Sequence, residues 1–165
     1  MAIRTICQYG EAVLKKKSKT VERIDEKILQ LLDDMIETLE QADGIGLAAP
    51  QVGILKRVIV IQDGENTLEL INPVITETEG EQIYYEGCLS YPGRFGDVGR
   101  PEQVTLVAMN RAGESVEYKA EGLLAVAFCH EIDHLNGELF FEKVKGRIYT
   151  AQEIAELQEK DVEES

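Results

Sequence analysis

His130 and His134 are the only two histidines among the 165 residues, and Glu131 stands beside the first of them. On a helix, side chains four positions apart lie on one face, so two imidazoles at this spacing can bind one metal ion. A carboxylate next to the first ligand lies close enough to act on a water bound to that metal. Histidine-dependent chemistry must occur here, which excludes a Ser-His-Asp triad with its histidine elsewhere in the chain.

The residues around this pair predict a buried helix rather than a chance match on a surface helix. The run 122–129 is apolar, holds strong helix formers and has no proline, and Asn136 and Gly137 follow the pair as a typical helix end. Buried histidines without partners are costly, and a metal ion would satisfy them.

A catalytic metal site normally has three protein ligands and one open position, so a third ligand is needed. Phe140 stands where the long metallopeptidase pattern has its third histidine, which excludes that pattern. In a second pattern, a glutamate downstream of the histidines is the third ligand. Glu153 and Glu156 lie at a suitable distance along the chain, but they belong to an acidic segment that we expect to face solvent.

A thiolate is the third possibility, and Cys88 is the best candidate. It follows Gly87 and lies two positions before Ser90 in the turn-rich segment 86–93, whereas a structural cysteine normally lies in an apolar run. Cys129 directly precedes His130 and is therefore about 100° around the helix, so it is predicted to pack in the core.

The small-residue segment 44–53 has two interpretations. It has neither the Gly-Lys-Ser/Thr of a phosphate loop nor the spacing of a dinucleotide-binding loop. It is either a tight loop after the first helix or an active-site wall in which Gln51 polarises a carbonyl group.

Composition and charge limit the classes of protein to which the chain can belong. The net charge of −14 argues against binding of nucleic acid through charge. Three widely spaced cysteines do not form a disulfide framework and fit a reducing cytosol. The N-terminus lacks the apolar core of a signal peptide, and no stretch is apolar and long enough to span a membrane.

The hydrophobic pattern predicts an α+β fold with mostly antiparallel sheet. Helical spacing over 21–42 predicts an N-terminal amphipathic helix. Strands are predicted at 57–61, at 67–71 until Asn72-Pro73 ends the strand, and at 104–109 and 115–118 around a hairpin loop. No linker or repeat divides the chain, so we expect a single domain over 1–165 with an acidic tail from about residue 150.

Three segments together resemble the peptide deformylases. The chain has Gly-x-Gly-x-Ala-Ala-x-Gln at 44–51, Glu-Gly-Cys-x-Ser at 86–90 and His-Glu-x-Asp-His at 130–134, in the family's order. The resemblance runs from about the first helix to Phe141 and implies antiparallel sheets packed around a central metal-binding helix. It also implies metal-dependent hydrolysis of the N-formyl group from the formyl-methionine of nascent polypeptides, which releases formate.

The resemblance also implies a role for each matching residue. The metal ligands would be Cys88, His130 and His134. Glu131 would be the general base and acid, and Gln51 and the Leu89 backbone N–H would hold the oxyanion. Residues expected to line the peptide channel or to surround the methionine side chain are Ile45, Gly46, Tyr84, Glu86, Leu123, Val126 and Ala127.

Cofactor, partners and location follow from the same resemblance. One divalent metal is expected, Fe(II) in the cell, with Zn(II), Ni(II) or Co(II) in purified protein. The expected partners are formyl-methionyl nascent peptides, with no nucleic acid and no membrane; the acidic tail gives no support for charge-driven docking on the ribosome. The expected location is the cytoplasm, with an organellar form as the alternative. Cys129 replaces the family's usual glutamine, which puts in doubt only the local helix packing.

Two rival functions remain at this stage. One is a zinc endopeptidase of the His-Glu-x-x-His type that takes a downstream glutamate as its third ligand. The other is a non-catalytic structural metal domain, which would normally need four protein ligands.

Overall fold

The computed structural model describes residues 2–150, 152–153 and 155–156. Eight strands form a five-stranded sheet of order β1-β2-β3-β6-β7 and a three-stranded sheet of order β4-β5-β8, and every pairing within them is antiparallel. The α+β fold expected from the sequence is thereby confirmed. The strands are β1 Gly46–Ala48, β2 Val58–Asp63, β3 Asn66–Glu79, β4 Gln82–Cys88, β5 Tyr91–Arg100, β6 Gln103–Met109, β7 Ser115–Glu121 and β8 Val144–Thr150. The helices are α1 Glu26–Ala42 and α2 Leu123–Leu135, with short 3-10 helices at Ala12–Lys15, Ala49–Val52 and Phe140–Lys143.

The five-stranded sheet lies between the two α-helices. The side chains of a strand alternate between the two faces of a sheet, so one face can pack on α1 and the other on α2. Val58 and Val60 of β2 belong to the buried cluster formed with Met35 of α1. Ile59 and Ile61 belong to the second buried cluster, on the α2 side. Helix α2 also contacts β5 of the smaller sheet, so it lies between the two sheets.

Helix α2 forms where the apolar run predicts it. Most of its residues are buried, as expected of a helix that is apolar on nearly all sides. Its end is also as predicted: the Asn136 N–H donates to the Ile132 carbonyl at 3.2 Å, and Gly137 adopts a φ of 74°. The two histidines are therefore held on a rigid, buried element.

Helix α1 begins at Glu26 rather than at residue 21. The Asp25 side chain accepts from the Ile28 N–H at 3.0 Å and so caps the helix. Val21 is buried, but it lies in a non-helical segment where its N–H donates to Asn72 Oδ1 at 2.8 Å. Its apolar side chain packs in the core without being helical, which is why the spacing overestimated the helix.

The predicted strand end at Asn72-Pro73 is wrong, because β3 continues through both residues to Glu79. Asn72 has a φ of 52°, and the register with β6 shifts between Ile71 and Val74. Proline lacks an N–H and is tolerated at such an irregularity, so the strand bends instead of ending. The hairpin loop between β6 and β7 is as predicted.

Candidate metal centre and active site

Three side chains that can ligate a metal converge between the smaller sheet and α2. One ligand atom each from Cys88, His130 and His134 lies within 4.8 Å of the others. The Cys88 sulfur is 3.3 Å from His134 Nε2. The cysteine comes from the end of β4 and the histidines from α2, so the structure brings together the three residues that the sequence singled out.

Cys88 reaches the histidines because β4 departs from regular pairing just before it. The register with β5 is irregular between Glu86 and Cys88. Gly87 lies between them, and a Cβ atom there would be 2.7 Å from the Phe95 ring. Only glycine permits this close approach of the backbone.

His130 is oriented by a buried ion-pair network. Its Nδ1 is 2.8 Å from Glu86 Oε1, and Arg100 donates to both Glu86 oxygens at 2.7 and 2.9 Å. Arg100 also donates to Asp133 at 2.6 Å, one helical turn beyond Cys129. Burial raises the pKa of Glu86, but the hydrogen bonds from Arg100 and His130 outweigh it and lower that pKa below its usual range. With Nδ1 engaged, His130 Nε2 is the nitrogen that could bind a metal ion.

This network adds a contact that the sequence did not predict for Glu86. The prediction placed it around the methionine side chain, and it does line the cavity, but both of its oxygens are bound by Arg100 and His130. The sequence analysis assigned no role to Arg100. The only sign was an arginine in an otherwise small and apolar stretch, which carried no indication of its partner.

The donor set suits a metal ion. Burial lowers the pKa of His134 well below its ordinary value, which keeps the imidazole neutral, as a ligand must be. The buried Glu131 Oε1 has no hydrogen-bond partner among the described protein atoms. A polar species held at the cluster would satisfy it.

Glu131 lies on the cavity floor and is almost completely buried. Burial raises the pKa of its carboxyl to about 7. A carboxyl group with such a pKa can both accept and donate a proton near neutral pH.

Gln51 is held with its amide N–H groups toward the cluster. It lies in the 3-10 helix Ala49–Val52 and is 1% exposed. Its Oε1 accepts from the Ala48 N–H at 2.9 Å, while Nε2 donates to Ser90 Oγ at 3.1 Å and lies 3.5 Å from the Cys88 sulfur. Segment 44–53 is thus a short edge strand and a 3-10 helix rather than a plain loop.

A cavity of about 460 Å³ opens above these groups. Its wall contains all the residues that were expected to contact the substrate: Ile45, Gly46, Tyr84, Glu86, Leu123, Val126 and Ala127. Ile45, Tyr84 and Leu123 are exposed at the rim, while Val126 and Ala127 are buried. Cys88, Leu89, His130 and Glu131 also face the cavity. The described part of the chain thus places apolar walls over a polar floor.

The alternative ligands do not join the cluster. Glu153 forms an ion pair with Arg147, and Glu156 accepts from Gln152 at 3.4 Å. Cys129 is buried in the core cluster on the α2 side of the five-stranded sheet, which confirms the prediction that it packs there. Burial raises its pKa to about 11.

Comparison with known proteins decides the family, since the model for polypeptide deformylases matches residues 3–148. The chain belongs to the peptide deformylase family. It is 58% identical over 144 residues to the peptide deformylase of Acetivibrio thermocellus, covering 87% of this chain and 85% of the relative.

Solved peptide deformylases have the same fold. The crystal structure from Legionella pneumophila superimposes with a TM-score of 0.85 at 43% identity and covers 87% of each chain. The structure from Synechococcus elongatus in complex with actinonin gives a TM-score of 0.83 at 45% identity, covering 86% of this chain and 79% of that one.

Membership of the peptide deformylase family establishes the activity. The chain is a metallohydrolase that removes the N-formyl group from the formyl-methionine of nascent polypeptides. The endopeptidase alternative is not favoured. In the described part of this deformylase, no helix has the length and apolarity to cross a membrane.

Proposed function

We propose that Cys88, His130 and His134 bind one divalent cation and that Glu131 is the general base and acid of deformylation. The observation that carries this proposal is the convergence of three ligand atoms within 4.8 Å beside a buried carboxyl on a cavity floor. One thiolate and two imidazoles suit Fe(II) or Zn(II), with Ni(II) or Co(II) as substitutes, and we assign iron in the cell.

The cation, when bound, would polarise the formyl oxygen and lower the pKa of a water molecule. Glu131 takes the proton of the water that attacks the formyl carbon. The Gln51 amide and the Leu89 backbone N–H donate to the oxygen on which negative charge develops. Glu131 then gives the proton to the leaving nitrogen as the C–N bond breaks, and formate and the free amine result.

The cavity wall is proposed to select the substrate. Val126, Ala127 and Leu123 of α2 offer an apolar surface for the methionine side chain, and Tyr84 lies at the rim. Ile45 and Gly46 would line the path of the peptide backbone along β1. Since the Synechococcus enzyme was solved with actinonin, we propose that the same cavity binds actinonin in this chain.

The setting of the reaction follows from the substrate. Nascent polypeptides place the enzyme in the cytoplasm or, alternatively, in an organelle that makes protein. Six acids against one lysine among residues 153–165 do not favour ribosome docking through a basic tail. We propose that the whole chain acts as one catalytic domain.

The test is formate release from formyl-Met-Ala-Ser, together with analysis of the bound metal. Formyl-Gly-Ala-Ser and free formyl-methionine are the comparison substrates. We expect kcat/KM to be roughly 10- to 200-fold higher for formyl-Met-Ala-Ser than for formyl-Gly-Ala-Ser, because an apolar pocket gains that much from a fitting side chain. Equal kcat/KM for all three would refute the pocket. Cleavage within a blocked peptide without formate release would favour the endopeptidase.

A further inference from the structure

Ser90 is a fully buried serine whose side chain contacts the Gln51 amide, and the mechanism above gives it no part. Its Oγ accepts a hydrogen bond from Gln51 Nε2 at 3.1 Å, and the residue is 0% exposed. It lies two positions beyond Cys88, in the turn between β4 and β5. A hydrogen bond between two buried side chains is not shared with solvent, so it restrains the orientation of both groups.

Two hydrogen bonds of opposite sense fix the orientation of the Gln51 amide. The Ala48 backbone N–H can only donate, so the amide atom that faces it at 2.9 Å must be the oxygen. The amide nitrogen therefore faces Ser90, whose hydroxyl oxygen accepts from it. Without the serine oxygen, the bond from Ala48 would still hold the amide oxygen, but the amide nitrogen would be free to swing about that anchor.

The orientation decides where the remaining donor of the amide lies. An amide nitrogen carries two N–H groups, and Ser90 accepts from one of them. The nitrogen also donates to the Cys88 sulfur at 3.5 Å, which places the second N–H beside the proposed metal ligands. Sulfur is a weaker acceptor than a negatively charged oxygen, so this N–H is available to an oxyanion that forms there.

The backbone around Gln51 and Ser90 is held independently of the serine side chain. The Cys7 N–H donates to the Gln51 carbonyl at 2.7 Å, and the Tyr9 N–H donates to the Ser90 carbonyl at 2.9 Å. A substitution that removes only the serine hydroxyl leaves both of these bonds in place. Its effect on activity therefore reports the orientation of the amide rather than the position of the main chain.

We propose that Ser90 is a positioning residue that directs one N–H of the Gln51 amide at the oxygen on which negative charge develops. The inference rests on the proposed function, in which Gln51 donates to that oxygen. A donor that is already oriented needs no reorganisation when the charge forms, so its benefit is largest in the transition state. Loss of the serine hydroxyl should therefore lower kcat and leave KM unchanged.

The experiment is a double-mutant cycle on the full chain with its metal bound. The variants are Ser90→Ala, Gln51→Ala and the protein that carries both substitutions. The matched control is Ser18→Ala, because Ser18 is also buried but its Oγ has no hydrogen-bond partner among the described protein atoms. For each protein, kcat and KM are measured from formate release with formyl-Met-Ala-Ser, and the metal content is measured on the same sample.

We expect Gln51→Ala to lower kcat roughly 10²- to 10³-fold, the usual loss for removal of one oxyanion donor. Ser90→Ala should lower kcat roughly 10-fold with KM within about twofold of wild type, because the donor is retained but is no longer held in one orientation. In the Gln51→Ala background, the same Ser90 substitution should change kcat by less than about twofold, since no amide remains to be oriented. Ser18→Ala should keep wild-type kcat.

Three results would overturn the inference while leaving the role of Gln51 intact. They are an unchanged kcat in Ser90→Ala, an equal loss of kcat from this substitution in both backgrounds, and a loss of metal from Ser90→Ala, which would indicate an effect on Cys88 instead. A wild-type kcat in Gln51→Ala would be a different outcome. It would remove Gln51 from the proposed function, and the inference would fail with it.

Discussion

Replacing Gly46 by alanine tests whether Glu131 must occupy the position seen here. A Cβ atom at residue 46 would be 2.7 Å from Glu131 Oε2 and 3.0 Å from Ile61 Cδ1. Ordinary contact begins near 3.4 Å, so the carboxylate would have to withdraw by about 0.7 Å, since the fully buried Ile61 has little room to yield.

The magnitude follows from the sensitivity of catalysis to placement. A displacement of about 1 Å costs roughly 100-fold, so a shift of about 0.7 Å should lower kcat roughly 10- to 50-fold. The three ligand residues are not touched, and the bound metal should remain at the wild-type level. The assay is formate release at saturating formyl-Met-Ala-Ser, with the metal content measured on the same sample.

Gly99→Ala is the matched control. Its Cβ would meet Lys145 Nζ at 3.0 Å and Cε at 3.2 Å, the far end of a flexible side chain, so the clash is relieved cheaply. This variant should keep wild-type kcat. A kcat of Gly46→Ala within twofold of wild type at full metal content would show that Glu131 does not need this position.

Three further outcomes are expected. Glu131→Gln should fold and keep its metal but lose roughly 10²- to 10⁴-fold in kcat, because the amide cannot take a proton; near-normal turnover would remove Glu131 from the mechanism. Cys88→Ala should lose the metal in a chelator competition, whereas Cys129→Ala should retain it at a modest cost in stability, and the reverse result would overturn the ligand assignment. Asp34→Asn should lower the free energy of unfolding at pH 7 by about 1–2 kcal/mol, because Asp34 accepts charge-assisted hydrogen bonds from Arg4. Burial raises the pKa of Asp34, but hydrogen bonds from the Ala2 N–H, Gln30 and Arg4 lower it below its ordinary 3.8. The stabilisation by the ionised Asp34 is therefore complete when the pH is well above 3.8, and it disappears as the pH falls through the lowered pKa. The urea unfolding curves of the wild type and Asp34→Asn should therefore converge in acid. A gap that persists unchanged in acid would contradict an electrostatic origin.

Local sequence patterns predicted those elements in which the apolar pattern and the helix-end or turn residues indicate the same structure. Helix α2 is apolar on nearly every side and ends at an Asn-Gly pair, so its bounds followed from sequence. The convergence of Cys88 with the two histidines could be anticipated because Cys88 lies in a turn-rich segment with Gly87 and Ser90, where a cysteine that only packs in the core is not expected.

The wrong or missing predictions involve contacts between residues far apart in the sequence, which the spacing of residue types does not encode. Val21 is buried through a hydrogen bond to Asn72, 51 positions away, so its periodicity imitated a helix. Arg100 lies 14 positions from Glu86 and 33 from Asp133, and only the folded chain reveals that it joins them.

The proposed ligands come from two layers of the protein, so a cation bound to them would link those layers. Cys88 belongs to the three-stranded sheet and His134 to α2, 46 positions apart in sequence. An unfolded chain cannot present this set, so the binding free energy adds to the free energy of unfolding. At a free metal concentration 100 times the Kd the gain is about 2.7 kcal/mol. The melting temperature would then report metal supply, and a cell short of metal would hold a less stable enzyme as well as a less active one.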